Sequence, residues 1–248
     1  MQFIGFDAKR AFNNASGLGN YSRLLIESMV SHYPENKYLL FTPKIGKSWA
    51  AWQQQMEAAG VQTYLPPKRL QRIFHSYWRS VGISRQAPNS GVQIYHGLSH
   101  ELPLHLSKNG VKTVVTMHDL IFLRYPEYFP RIDRYFYELK FKRACQQADA
   151  IVAISEQTAE DLVHFLKADP KKISLIYQDC HPQFRQTVSL TEVAHFRKEH
   201  GLPSAYIYVA GSFEKRKNHL RVMEAYAQLP ADRPPLVFAG QKTPYLQE

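Results

Sequence analysis

The chain has 248 residues, 44% of them hydrophobic and 13% aromatic, enough apolar side chain to bury a core and to exclude a disordered chain. Only two cysteines occur, Cys145 and Cys180, far apart and outside any CxxC or Cys/His spacing. A disulfide framework or zinc site is therefore not expected, and a reducing compartment fits. The formal charge of +10 calls for an anionic partner: nucleic acid, a phosphate-bearing small molecule or an anionic membrane surface.

From the N-terminus, MQFIGFDAKR has too short an apolar run for a signal peptide, and no later segment approaches the ~20 apolar residues of a membrane span. A cytoplasmic protein is expected. Short apolar runs then recur: QFIGF (2–6), KYLLFT (37–42), VQTYL (61–65), VQIYH (92–96), TVVTM (113–117), AIVAIS (150–155) and KISLIY (172–177). Between them, YSRLLIESMVSHY, SWAAWQQQMEAAG, RYFYELKFKRACQQA and EQTAEDLVHFLKA have helical periodicity. Alternating strand and helix is the pattern of an α/β fold, a doubly wound parallel sheet covered on both faces with right-handed crossovers. Ser155 is placed to cap the helix that starts near Glu156.

After Tyr177 the pattern changes. A polar stretch, QDCHPQFRQT, leads to a predicted helix over 190–200, punctuated by Gly201-Leu202-Pro203. A strand YIYVAG (206–211), a basic loop, a helix HLRVMEAYAQL and a strand PLVFAG (235–240) follow. We read 1–185 as one Rossmann-like domain, 186–203 as a linker with its helix, and 204–248 as the start of a second Rossmann-like domain. Two strands and one helix fall short of the ~50 residues that independent domains need, so the chain is expected to end inside that domain.

Doubly wound sheets bind ligands at the carboxyl ends of their strands. Asp7 ends the first strand, and the loop NNASGLGN (13–20) then opens directly into a helix. Its glycines allow a phosphate to approach backbone N–H groups at a helix N-terminus. A glycine turn is as often structural, and Ser22 stands where the third glycine of GxGxxG belongs, which disfavours a nicotinamide-dependent enzyme. His96, Gly97, Ser99 and His100 follow the fourth strand, His118 and Asp119 the fifth, and Gln178, Asp179 and His181 the seventh. One histidine at a strand end is more often structural than functional; several on one rim reverse that balance. In the second unit, GSFEKRKNH (211–219) sets Lys215, Arg216 and Lys217 just before a helix.

Other features carry less. Gly46-Lys47-Ser48 resembles the end of a Walker A loop, but Phe41 occupies its first glycine. His96, His100 and His105 surround a turn without metal spacing, so no metal and no cofactor is expected. In PPKRLQRIFHSYWRS (66–80), Lys68, Arg69, Arg72 and Arg79 alternate with Leu70, Ile73, Phe74, Tyr77 and Trp78. The favoured reading is an amphipathic helix packed on the sheet; the other is a contact with an anionic membrane or a lipid-linked acceptor. The aromatic-basic patterns of RNA-binding modules and helix-turn-helix signals are missing, so the charge does not indicate nucleic acid.

FDAKR…SGLGNYSRLL, IYHGLSHELP, TVVTMHDLIFLRYPEYF, ADAIVAISEQTAEDL, KISLIYQDCHPQF and YVAGSFEKRKNHLRVMEAY, in that order, resemble the retaining glycosyltransferases of family 4, also called group 1. The six blocks span nearly the whole chain. The resemblance implies a GT-B fold of two Rossmann-like domains, a nucleotide-sugar donor held mainly by the second, and a glycan or lipid-linked acceptor on the first. It implies metal-free transfer with retention, in cell-envelope polysaccharide biosynthesis, at the cytoplasmic side or peripheral to the membrane's inner face. It marks His118 as the active-site histidine against the donor sugar, with Asp119 orienting it. Gly17, Gly19, Arg216 and Lys217 fall to the donor diphosphate, and Asn20, Tyr21 and His96 to the acceptor side. Substitution of His118 is expected to spare folding.

The sequence also departs from the family. Ser212 stands where many members have arginine, and Gln178-Asp179-Cys180-His181 replaces the usual Asn-Gly-Val-Asp. The paired-glutamate motif that holds the donor ribose and sugar would lie beyond Glu248. The chain as it stands is thus expected to be inactive alone, and a module that binds acceptor or membrane without transfer is the competing reading.

Overall fold

The computed structural model describes residues 1–67, 75–241 and 243. The chain divides into two compact units, Met1–Asp179 and Cys180–Glu248.

Unit one is built on seven parallel strands: β1 (Phe3–Asp7), β2 (Lys37–Phe41), β3 (Gln62–Tyr64), β4 (Ile94–Gly97), β5 (Lys112–Met117), β6 (Ala150–Ala153) and β7 (Ile173–Leu175). Their order across the sheet is β3-β2-β1-β4-β5-β6-β7, and all seven expected runs form strands. The order reverses between β1 and β4, where Ile4, Gly5 and Phe6 pair with Ile94, Tyr95 and His96. Crossovers leave from β1 and β4 in opposite directions there, so a crevice opens at the carboxyl end.

Among the described helices of this unit are α1 (Lys9–Asn13), α2 (Gly17–His32), α3 (Ala50–Ala58), α4 (His75–Tyr77), α5 (Ile83–Asn89), α6 (Ile121–Arg124), α7 (Arg131–Gln147) and α8 (Glu156–Leu166). One core pairs Val115, Met117 and Ile151 with Phe141, Ala144 and Leu162 of α7 and α8. A second packs Ile4, Phe6 and Leu40 against Ile26 of α2 and Trp52 and Met56 of α3. The central strands are apolar on both faces because helices cover both. Ser155 caps α8 as expected, accepting from the Thr158 N–H at 3.1 Å, a bond of about 1 kcal/mol.

The basic segment at 66–80 falls only partly within this description: Lys68, Arg69, Leu70, Arg72, Ile73 and Phe74 lie outside the described residues. Its described end runs from α4 through a π-helical turn, Trp78–Gly82, into α5. Trp78 is buried there, its Nε1–H donating to Gln86 Oε1 at 3.1 Å, so this end is packed on the sheet.

Unit two holds α9 (Leu190–Glu199), β8 (Ile207–Ala210), α10 (His219–Ala227) and β9 (Leu236–Ala239), with β8 and β9 parallel. Helix α9 starts with a capping box in which Ser189 and Glu192 satisfy each other's backbone N–H groups. Among the described residues no helix is long and apolar enough to cross a membrane.

Candidate active site

The carboxyl ends of β4 and β5 bring three of the expected residues together, two of them through one hydroxyl. Thr116 Oγ1, buried on β5, lies 2.8 Å from His96 Nε2 on β4 and 3.1 Å from the Tyr21 hydroxyl on α2. The Tyr21 ring stands edge-on to the His118 imidazole, centroids 4.7 Å apart. Tyr21, His96 and His118, separated widely in sequence, are thus one cluster. Sequence reasoning misses Thr116, because a threonine inside an apolar strand run reads as ordinary strand composition.

His118 is only 7% exposed. Its Nε2 lies 2.9 Å from the Leu98 carbonyl, which can only accept, so Nε2 carries the proton. In the neutral ring Nδ1 is then an acceptor, and the Gln178 amide donates to it at 2.9 Å. Burial lowers the His118 pKa, against the opposing pull of the Leu98 carbonyl and the Asp119 charge, so the ring is neutral at neutral pH. The strand end is further tied down by Thr158, whose hydroxyl donates to the His118 carbonyl at 3.0 Å.

His100 packs on the other side, 5.1 Å from His118, and stacks on Phe141 at 4.4 Å and 7°. It sits at φ +64, a left-handed backbone rare for a residue with a Cβ. Asp119 is exposed and turned away, accepting from the Ile121 N–H at 3.4 Å. Among the described residues the ring is held by Leu98 and Gln178, and Asp119 acts on it through charge alone. The expected tolerance of folding to substitution at His118 is corrected here: the ring is buried and bonded.

A second constellation lies at the carboxyl ends of β1 and β4. Arg79 bridges Asp7 at 2.7 Å and Glu101 at 2.9 Å, with Lys140 3.5 Å from the other Glu101 oxygen. Burial works against the Arg79 charge, but the two carboxylates outweigh it and raise its pKa. In the sequence Arg79 is one cation of a basic stripe. The structure turns it inward, because a carboxylate buried at the end of β1 requires a cation.

Gly17 and Gly19, expected in a loop, both lie in the first turn of α2, and they play different parts. A Cβ on Gly19 would stand 1.9 Å from the Asn14 carbonyl oxygen, so this glycine is demanded by the close packing of α2 on the loop before it. A Cβ on Gly17 would meet nothing within 4 Å. Asn14 Oδ1 accepts from the Ser16 N–H at 2.8 Å and the Gly19 N–H at 3.3 Å, ordering the start of α2. Asn20 is exposed, its Oδ1 accepting from Arg23 at 2.6 Å.

In unit two, Lys215–Lys217 form a 3-10 turn, Asn218 takes φ +55, and α10 begins at His219. Arg216 and Lys217 are both exposed, and Arg216 Nε lies 2.7 Å from Glu214. Arg216 and Lys217 belong to a different unit from Gly17 and Gly19. Among the described residues no group of three or more His, Cys, Asp or Glu is arranged to hold a metal.

The half-buried imidazoles of His96 and His100 have a consequence for stability. Burial and the neighbouring His118 hold the His96 pKa down to about 4, and burial first holds His100 well below the usual range. Between about pH 6.5 and 4 the unfolded chain binds protons that the folded chain refuses. Stability is therefore fully present above about pH 6.5 and falls as the pH drops through that window. Urea unfolding should show the midpoint falling below about pH 6.5, and His96→Gln should flatten the dependence. A midpoint constant across that window would show that these imidazoles are protonated in the folded state.

The chain matches Glycosyltransferase Family 4 over residues 16–178. A serotype-specific mannosyltransferase WbdA of Escherichia coli is 28% identical over 177 residues, covering 67% of this chain and 22% of the relative. The O-antigen chain mannosyltransferase B of Escherichia coli is 24% identical over 152 residues, covering 60% of this chain and 39% of the relative. Among solved structures, Anabaena Alr3699/HepE in complex with UDP superposes with a TM-score of 0.65 at 14% identity, covering 100% of this chain and 63% of that one. A glycosyltransferase from Rickettsia africae gives 0.64 at 14% identity, with 96% and 60% covered. The chain thus spans less than two thirds of the length of each of these proteins.

Proposed function

The chain belongs to glycosyltransferase family 4, and on that premise we propose that the complete gene product transfers a sugar from a nucleotide-sugar donor to a glycan or lipid-linked acceptor of a cell-envelope polysaccharide. Its first unit is a Rossmann-like N-terminal domain of the GT-B fold. The observation that carries the reading is the cluster of Tyr21, His96, Thr116 and His118 at the carboxyl end of the parallel sheet, inside the matched residues. The mannosyltransferases among its relatives make a hexose the sugar to try first.

In this reading the bond from the anomeric carbon to the diphosphate breaks, and an acceptor hydroxyl oxygen takes its place with retained configuration. The hydroxyl proton leaves on the diphosphate. Charge builds on the departing diphosphate, and Arg216 and Lys217 of unit two would stabilise it. Neutral His118 has one acceptor to offer, Nδ1, so a donor-sugar hydroxyl would take the place of the Gln178 amide.

The test is transfer by the complete gene product from a panel of nucleotide-hexoses, with the product's anomeric configuration read by NMR. Transfer with retention is expected. Lys217→Ala should raise KM for the donor as well as lower kcat, because the donor is already charged in the ground state. A product of inverted configuration, or nucleotide binding without any transfer, would sink the proposal.

A further inference from the structure

Helix α7 is apolar on two opposite sides. Phe141, Ala144 and Cys145 are buried in the core beneath β5 and β6. Roughly half a turn away, Ile132, Tyr135, Phe136 and Leu139 follow one another at i, i+3, i+4 and i+7. They are 72%, 64%, 52% and 44% exposed. A helix on a soluble domain ordinarily keeps that face polar. Here the first ten residues of α7 are exposed but for the half-buried Arg134, and their outer face is the most apolar part of the helix.

The surroundings of the stripe say what would cover it. From Arg131 to Arg143 the helix carries five basic residues, Arg131, Arg134, Lys140, Lys142 and Arg143, against Asp133 and Glu138. Arg131 and Lys142 flank the stripe along one edge, and Arg143 extends its line beyond Leu139. Tyrosine and phenylalanine rings bordered by cations are the side chains that settle at a headgroup boundary. Four side chains on one helix also fall short of the ~800 Å² per partner that a stable protein interface buries.

We propose that this face of α7 is a docking surface for an anionic membrane leaflet. Ile132, Tyr135, Phe136 and Leu139 enter the boundary between headgroups and acyl chains, and Arg131, Lys142 and Arg143 meet the lipid phosphates. The surface is distinct from the basic segment at 66–80 and does not depend on the catalytic reading.

The complete gene product is to be sedimented with phosphatidylcholine vesicles, with and without phosphatidylglycerol. Binding is expected only with phosphatidylglycerol and should weaken as salt rises. Tyr135→Ser/Phe136→Ser should cut partitioning about tenfold or more, leaving Tm and transfer to a water-soluble acceptor unchanged. Phe136→Trp, which keeps the stripe apolar, should show a blue-shifted emission on adding the anionic vesicles. Wild-type protein that ignores these vesicles, a serine variant that binds as wild type, or a Phe136→Trp emission that does not move overturns the proposal. So does self-association of the wild type that the serine variant abolishes, since a second copy would then be the occupant.

Discussion

Replacing His118 by alanine should lower kcat of the complete gene product by roughly 10²–10³, the size of effect expected from losing one preorganised hydrogen bond to the reacting sugar. The imidazole is held at both nitrogens within unit one, by the Leu98 carbonyl and the Gln178 amide, so its position is fixed before any ligand arrives. The preorganisation also has a structural cost. Removing a ring that is 7% exposed leaves the Leu98 carbonyl without its donor and a gap beside Tyr21 and His100. A loss of about 1–3 kcal/mol in stability should accompany the kinetic effect. Rates must therefore be read well below Tm, with Gln178→Ala as the control. That variant leaves the Leu98 bond intact and frees Nδ1, so it should fold normally. If a sugar hydroxyl takes the amide's place, Gln178→Ala should keep kcat within a few fold, whereas His118→Ala should not. A folded His118→Ala enzyme with near-wild-type kcat would remove the imidazole from the chemistry and leave it as a packing residue.

The fold is legible because the chain's apolar runs carry it. Seven β-branched or aromatic runs separated by helical periodicity admit few arrangements besides a parallel sheet, and handed crossovers restrict these further. That His118, Tyr21 and His96 are candidates is legible too, from strand ends and from the family's motif order. What brings them into one cluster is not. Thr116 sits at an ordinary position inside an apolar run, and Gln178 reaches His118 across 60 residues of sequence. Such contacts depend on register, which period-2 patterns do not specify between one strand and its neighbour. The role of Asp119 is hidden for a related reason. Adjacency to His118 suggests a paired carboxylate, but successive side chains at a strand end point to opposite faces. Gly19 and Gly17 look alike in the sequence, and only the close approach of the Asn14 carbonyl separates the packing glycine from the open one.

Arg79 is the clearest case of a residue whose sequence context points the wrong way, and its removal should have the largest effect on stability. Asp7, 4% exposed, sits at the end of β1, and its Oδ2 rests 2.7 Å from the Arg79 guanidinium. Glu101 accepts from the same nitrogen at 2.9 Å, so one cation serves two carboxylates. Arg79→Ala strands Asp7 with the Lys9 backbone N–H at 3.1 Å as its remaining bond on Oδ1, and should cost about 3 kcal/mol or more in urea unfolding. Arg79→Lys keeps a charge but loses the terminal nitrogen whose two in-plane N–H groups serve both partners, and should cost about half as much. Asp7→Asn in the Arg79→Ala background should recover a substantial part of the loss, since the amide removes the charge that the alanine leaves unpaired. The resulting cycle should give a coupling energy above about 1.5 kcal/mol. Additive effects of the two substitutions would mean that the bridge contributes nothing specific, and that Arg79 acts through packing of its stem alone. A strong coupling would instead identify the bridge as the tie between the π-helical turn at Trp78–Gly82 and the end of β1. It would then be what fixes the wall of the crevice at the point where the strand order reverses.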